Sequence, residues 1–341
     1  MTHTSTGTAP RVIDFHVHSL EREVFRASTN KTVFTGFGAH PVNEPRPGAR
    51  ALLERMLTPH TIIEDMDARG IDVSIVTAST VLQGSSWASP EHDLELCQRC
   101  NDQSSDWMRA HPHRLVGSAV LPLQSPELAL RELERCASLG LPVVNASSSY
   151  QGRYLGDPFY AEFWAEVARR QLTVWIHPEG VKDPWFQRYG LWNSLGQSIE
   201  ETRVMASLIY EGVMTRHPDL KVVIAHGGGY FPHYMGRVDR NAANRPDSVR
   251  HIDGQQPSDL LGRFHYDTCV YDPRVLQVLI ERVGVDRLVM GSDYPVGEKN
   301  PVGWLREAGL DGAALQAVAG GNAERLLGTH APPLKKQSPA S

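Results

Sequence analysis

The sequence predicts an α/β fold, a (β/α)8 barrel with inserted loops over the C-terminal face of the barrel. Short apolar runs rich in β-branched residues occur eight times along the chain, and a helical pattern follows most of them. Four of these runs end in histidine or aspartate. A single barrel of this kind takes about 250 residues and grows by loop insertion. We therefore expect the 341 residues to form one barrel domain, with an ordered core over about 11–328.

The eight strand candidates are mostly continuous apolar runs and do not alternate with polar residues. Strands that are covered by helices on one side and closed on the other have this pattern. The candidates are 11–18, 71–78, 114–121, 141–147, 171–177, 220–226, 263–269 and 286–293.

The helix candidates carry start and stop signals. Thr58-Pro59 marks a helix start and Gly70 marks its end, with IIEDMDA between them. A doubly wound open sheet is the alternative fold, but no GxGxxG follows a strand candidate. Further helices are expected near 91–110, 126–139, 158–170, 199–216, 272–284 and 312–327.

Two long segments leave the C-terminal ends of strand candidates. Residues 20–57 are rich in Gly, Pro, Asn and Thr, and residues 178–198 contain Trp185, Phe186, Tyr189 and Trp192. The active sites of barrels lie on this face, and long loops there are usually lids or binding loops. We expect both segments to form a lid and pocket, with Trp192 contacting substrate.

Composition excludes several classes of function. The formal net charge is −5, and no apolar run is long enough to span a bilayer, so we expect no nucleic-acid or membrane partner. The first ten residues lack the features of a signal peptide, and four cysteines do not make a disulfide scaffold, which favours the cytoplasm. We interpret Cys97 and Cys100 as ordinary helix cysteines, because no second pair repeats their CxxC spacing.

Histidine is unusually frequent, with 15 residues. Only a few of them lie at the ends of strand candidates, and these are the candidate functional residues. His16 and His18 end the first strand, His177 ends the fifth, His226 ends the sixth and Asp293 ends the eighth. Period-two alternation puts the first two on one face, and a barrel brings all these strand ends to one rim. We therefore expect the five side chains to converge.

These residue types suit a catalytic metal. Zinc accepts histidine nitrogen and aspartate oxygen, and a catalytic zinc keeps one position open. We expect His16, His18, His177 and Asp293 to bind one divalent ion, Zn²⁺ first, with Mn²⁺ or Co²⁺ also compatible. His226 and Asp293 would move protons beside a metal-bound water or hydroxide.

The motifs DFHVH, WIHP, AHGGG and GSDYP resemble those of the amidohydrolase superfamily, in the same order over nearly the whole chain. The stretches KVVIAHGGGYFPHYMGRVDR and DRLVMGSDYP are most similar to its decarboxylase branch, especially the group acting on 2-amino-3-carboxymuconate 6-semialdehyde. Asn145 stands where binuclear members carry a lysine, so the resemblance implies one metal ion.

The resemblance also implies substrate contacts. An arginine before the first helix binds the substrate carboxylate in that branch, and Arg50 is the matching residue. A second arginine comes from the neighbouring subunit of a dimer, and Arg237 matches it. Glu179 departs from the pattern, since an aromatic residue follows the HP motif in that group.

The function expected from these features is non-oxidative decarboxylation of an aromatic or muconate-like carboxylic acid. The partner is then a small carboxylate, and the protein is a homodimer. Two alternatives stay open. The same site could hydrolyse a lactone or amide or hydrate a double bond, or the barrel could be non-catalytic and act as a subunit or scaffold, although such members normally lose the ligands that are present here.

Overall fold

The computed structural model describes residues 11–31, 49–78, 87–181 and 183–333. Eight parallel strands follow one another around a barrel, and each pairs with the next in chain order, which confirms the predicted fold class. The strands are β1 (Ile13–Ser19), β2 (Val73–Ala78), β3 (Leu115–Val120), β4 (Val143–Ala146), β5 (Thr173–Ile176), β6 (Lys221–Ile224), β7 (Phe264–Asp267) and β8 (Leu288–Val289).

The last and first strands meet and close the barrel. The Phe15 amide donates to the carbonyl of Met290 at 2.8 Å, and Val17 forms a parallel bridge with Tyr294 just after β8. Strand β1 carries one extra residue between Asp14 and Val17 relative to β2. Such a bulge redirects the side chains around it, and here one histidine of β1 lies within the bulge and the other follows it.

Helices surround the barrel and close its N-terminal end. Leu326 accepts hydrogen bonds from Thr173 Oγ1 (3.3 Å) and Lys221 Nζ (3.1 Å), which come from the first residues of β5 and β6. The main helices are α1 (Arg22–Lys31), α2 (Ala49–Glu54), α3 (Pro59–Arg69), α4 (Pro90–Ala110), α5 (Pro126–Leu139), α6 (Ala161–Arg170), α7 (Pro184–Arg188), α8 (Leu191–Ser194), α9 (Gly196–Tyr210), α10 (Val213–Arg216), α11 (Met235–Asn244), α12 (Pro273–Val283), α13 (Pro301–Glu307), α14 (Gly312–Gln316) and α15 (Asn322–Leu327).

The predicted cap of α3 is present: Gly70 follows the helix at φ 67°, and its amide donates to the carbonyls of Asp67 and Met66. This left-handed conformation favours glycine. Two long helices of the prediction are interrupted. Gly212, at φ 74°, separates α9 from α10, and a π-helical turn over Ala317–Gly321 separates α14 from α15.

The two segments expected to be irregular loops contain helices. Residues 20–57 include α1 and α2, with 32–48 outside the described residues, and residues 178–198 include α7 and α8. All four cysteines are free of disulfide bonds, and Cys97 and Cys100 lie in α4 as predicted. Within the described ranges, no helix has both the length and the apolar character that a membrane crossing needs.

Candidate active site

Five side chains meet at the C-terminal mouth of the barrel, as the strand ends predicted. His16 Nε2 lies 3.3 Å from His18 Nε2 and 3.3 Å from Asp293 Oδ1, and His18 Nε2 lies 3.1 Å from the same oxygen. The ring of His177 lies 5.0 Å from those of His18 and His226, centroid to centroid. His16 and His177 are almost completely buried.

The backbone around the site is held in a sparsely populated conformation. His226 has φ 48° and Asp293 has φ 56°, and both come within a few residues of the end of a barrel strand. Left-handed backbone is costly for non-glycine residues and persists where surrounding contacts enforce it. Asp14 Oδ1 holds the backbone next to Asp293, because it accepts from the amides of His16 (3.1 Å) and Ser292 (2.9 Å).

Hydrogen bonds set the tautomers of two of the histidines. His16 Nδ1 donates to Asp267 Oδ2 at 2.7 Å, and both side chains are fully buried. His177 Nδ1 donates to the carbonyl of Pro178 at 3.0 Å. When these imidazoles are neutral, Nε2 carries the lone pair, and the Nε2 of His16 faces the cluster.

Burial and neighbouring charge shift the pKa values of the cluster in opposite directions. Burial lowers the pKa of His177 well below its usual value, and neighbouring imidazoles add to this effect. Burial also acts against protonation of His16, but Asp293 and Asp267 outweigh it and raise the pKa of His16 to about 10. Burial opposes ionisation of Asp293, yet His16 and His18 hold its pKa well below its usual range. The carboxylates therefore stabilise positive charge at the centre.

The donor set fits a divalent metal ion. Nitrogen and oxygen donor atoms of His16, His177, His226 and Asp293 all lie within 4.8 Å of one another, and His18 Nε2 approaches two of these residues. A neutral imidazole and an ionised carboxylate are the forms that bind metal. Two imidazole nitrogens and a carboxylate oxygen about 3 Å apart suit a shared cation.

His226 is held by a second carboxylate, which sequence reasoning missed. Its Nδ1 contacts Glu201 Oε1 at 2.5 Å, and Glu201 on α9 is completely buried. Burial raises the pKa of Glu201 to about 7, whereas the carboxylate outweighs burial and raises the pKa of His226. The pair thus holds a proton at the edge of the cluster of histidines and Asp293.

A cavity of about 780 Å³ opens beside these groups. Its wall includes His226 and Asp293, together with Tyr230, Tyr271 and Arg274. Tyr271 donates from its hydroxyl to Asp293 Oδ2 at 2.9 Å. Burial raises the pKa of Tyr271, and the nearby Cys269 and Asp293 add to the shift, so the phenol stays protonated. The cavity is large enough for a small aromatic or unsaturated acid.

The residues predicted to contact substrate are not among the described residues that line this cavity. Arg50 is in α2, and its side chain lies outside the described residues. Arg237 is exposed on α11. Trp192 packs against Gly180, and a Cβ added to Gly180 would lie 2.5 Å from the carbonyl oxygen of Trp192. Its neighbours Asn193 and Ser194 line the cavity.

Two residues singled out by their departure from family patterns are away from the cavity wall. Glu179 lines a different cavity of about 540 Å³, beside Ser147 and Glu200. Asn145, at the end of β4, is buried, and its Nδ2 donates to the carbonyl of Trp175 at 3.5 Å. An asparagine provides no amine for a carbamate bridge between two ions, in keeping with a single metal.

Comparison with known proteins agrees with the motifs. A sequence model of the amidohydrolase family matches residues 13–329. The 2-amino-3-carboxymuconate-6-semialdehyde decarboxylase of Dictyostelium discoideum is 33% identical over 276 residues, covering 79% of this chain and 76% of that protein.

Solved structures share the fold over most of the chain. The 5-carboxyvanillate decarboxylase of Sphingomonas paucimobilis superposes with a TM-score of 0.81 at 25% identity, covering 93% of this chain and 98% of that one. A dihydroxybenzoic acid decarboxylase from Polaromonas, with bound manganese and an inhibitor, gives a TM-score of 0.81 at 24% identity and covers 93% and 96%. The fold and the family expected from the sequence are thereby confirmed.

Proposed function

The chain belongs to the amidohydrolase family, and from this premise we propose that it is a metal-dependent, non-oxidative carboxy-lyase. Its substrate would be an aromatic or unsaturated, muconate-like carboxylic acid. The observation that carries the proposal is the convergence of His16, His18, His177 and Asp293 beside the Glu201-supported His226.

In this proposal His16, His18, His177 and Asp293 hold one divalent ion, with Zn²⁺ as the first candidate and Mn²⁺ or Co²⁺ as alternatives. When bound, the ion supplies positive charge that stabilises negative charge developing on the substrate. Asp267 orients His16 through the 2.7 Å hydrogen bond, and such supporting carboxylates increase the basicity of the ligating imidazole.

His226 is the proposed proton carrier. The reaction breaks the bond between the carboxylate carbon and the substrate carbon, and the electron pair stays on the substrate. A proton from His226 forms the new C–H bond, and CO₂ leaves. Glu201 stabilises the protonated imidazole at 2.5 Å, and Asp293, at the same cavity wall, is the second group in the proton traffic.

Substrate binding combines the cavity with charged anchors. The exposed rings of Tyr230 and Tyr271 give it aromatic walls. We propose that Arg50 of the same subunit and Arg237 of the partner subunit bind the substrate carboxylate, since a guanidinium binds a carboxylate through two hydrogen bonds. This arrangement requires a homodimer. Trp192 is proposed as a further contact from the 178–198 segment.

The relatives support this reaction class by the chemistry in their names. One acts on a carboxymuconate semialdehyde and another on 5-carboxyvanillate, and both are decarboxylases. We further propose that the chain folds as a single barrel domain and acts in the cytoplasm.

The test is release of CO₂ by metal-replete protein from a panel of hydroxybenzoates and carboxymuconate-type acids. A His16→Ala/His18→Ala variant is the control, because it removes two proposed ligands from one strand. We expect CO₂ from at least one acid with the parent and none with the variant. No CO₂ from any acid, together with cleavage of a lactone or amide panel, would replace the proposal with the hydrolase alternative.

A further inference from the structure

The loop after β7 brings a phenol to the far oxygen of the proposed ligand Asp293. Tyr271 donates its hydroxyl to Asp293 Oδ2 at 2.9 Å. The other oxygen, Oδ1, lies 3.1 Å from His18 Nε2 and 3.3 Å from His16 Nε2. The two oxygens of one carboxylate therefore have different surroundings, with imidazole nitrogens at one and a phenol at the other.

We propose that Tyr271 is a positioning residue that holds Asp293 Oδ2 away from the metal and so fixes Asp293 as a one-oxygen ligand. This inference rests on the metal site proposed above. A carboxylate can bind a cation through one oxygen or through both. A hydrogen bond from a phenol to an ionised carboxylate is charge-assisted, so rotation of the carboxylate towards two-oxygen binding would break a favourable contact.

The backbone is shaped to make this contact. Tyr271 has φ 54°, and Asp293 has φ 56°, so both partners adopt left-handed backbone that residues with a Cβ rarely accept. Gly297 leaves room for the hydroxyl, because a Cβ there would lie 2.4 Å from the Tyr271 oxygen and 2.7 Å from Asp293 Cβ. Both ends of the hydrogen bond therefore lie on backbone that surrounding contacts must hold in place.

Strand β7 and the loop that follows it thus each provide one supporting contact to the cluster. Asp267 at the end of β7 orients His16, and Tyr271, four residues later, orients Asp293. Tyr271 also lines the cavity, with just over half of its surface exposed. Its hydroxyl therefore acts on the proposed ligand, and its ring faces the space that substrate would enter.

The cavity contains its own matched control. Tyr230 lines the same space and is partly exposed, and among the described residues its hydroxyl makes no hydrogen bond. Tyr271→Phe and Tyr230→Phe each remove one hydroxyl from the cavity wall and keep the ring. Only the first removes a contact with Asp293.

The experiment measures Mn²⁺ and Zn²⁺ affinity of the full chain by competition with a chelator, and thermal unfolding of the metal-free protein. We expect Tyr271→Phe to weaken metal binding by about 10-fold or more, as for other residues that support ligands. Tyr230→Phe should bind metal like the parent, and the metal-free unfolding temperatures should agree. With an identified substrate, Tyr271→Phe should lower kcat more than it raises KM.

Equal metal affinity in the two phenylalanine variants would overturn the inference, as would a parent protein that binds neither ion. Weaker metal binding by Tyr271→Phe in a protein that releases no CO₂ from any acid would support the role of Tyr271. That outcome would remove the proposed decarboxylation instead, so the two ideas fail separately.

Discussion

Replacement of Asp267 by asparagine tests whether the buried partner of His16 tunes the metal site. Asp267 Oδ2 accepts the Nδ1 proton of His16 at 2.7 Å, and its Oδ1 accepts from the amide of Cys269 at 3.1 Å. The asparagine side chain would keep the shape but remove a negative charge. Its amide also has only one acceptor oxygen for two donors, His16 Nδ1 and the Cys269 amide, so one of them would lose its partner.

The magnitude follows from burial and charge. A charge-assisted hydrogen bond contributes about 1 kcal/mol more than a neutral one, and Asp267 and His16 are both completely buried. Loss of carboxylates that support ligating histidines weakens metal binding by about 10- to 100-fold, which corresponds to about 1.4–2.7 kcal/mol. We expect Asp267→Asn to fall in this range for Mn²⁺ or Zn²⁺.

The assay is chelator competition near neutral pH, with unfolding of the metal-free protein measured alongside. Glu132→Gln is the matched control, because Glu132 is another fully buried carboxylate. Its Oε1 accepts from Asn101 Nδ2 at 2.6 Å and from Arg135 at 2.8 Å, in the helical layer. It should destabilise the fold without changing metal affinity. The reasoning is wrong if folded Asp267→Asn binds metal as tightly as the parent, or if both variants lose affinity equally.

Three further predictions concern the surroundings of the site and the opposite end of the barrel. Gly229 has φ 61°, and a Cβ on it would lie 2.3 Å from the carbonyl oxygen of Ser198, so Gly229→Ala should destabilise the fold by about 1–3 kcal/mol. The measurement is thermal unfolding, and Gly236→Ala is the control because nothing lies within 4 Å of a Cβ at that position. Glu201→Gln should lower kcat by about 10- to 100-fold with little change in KM in steady-state kinetics, since the histidine it supports loses a charged partner; an unchanged kcat would exclude this role. Burial, with nearby Arg and Lys side chains, lowers the pKa of His265 to about 4. Because this pKa lies below the value of about 6.5 in the unfolded chain, lowering the pH favours unfolding. The free energy of unfolding of the parent should therefore fall by about 2 kcal/mol between about pH 7 and pH 5, and that of His265→Gln should not. Equal pH profiles in denaturant unfolding would contradict this.

The barrel and its ligand candidates could be predicted because their signals are local. Each strand is a short apolar run, and parallel strands place their last residues at one rim. His16, His18 and His177 could therefore be brought together from strand ends alone. Asp267 carried the same signal, since it ends β7 within FHYDTC, and the prediction overlooked it.

The supporting contacts could not be predicted in the same way. Glu201 reaches His226 from a helix, 25 residues away in the chain, and Tyr271 reaches Asp293 across 22 residues. These contacts depend on how helices and loops pack on the barrel. The Gly and Pro content of segment 20–57 predicts irregular structure, but α1 and α2 lie within it. Both helices are shorter than the roughly 11 or more residues over which a helical period of apolar residues can be recognised, so the surrounding composition dominated the prediction.

The central claim is that the protein catalyses replacement of the substrate's carboxylate group by a proton. Isotope labelling measures this directly. Metal-replete protein would be incubated in D₂O with an acid of the panel that carries ¹³C in its carboxyl group. We predict one ¹³CO₂ per product molecule and one deuterium at the carbon that bore the carboxylate, with neither from the His16→Ala/His18→Ala variant. A product that retains its ¹³C carboxylate and gains the elements of water would contradict the account.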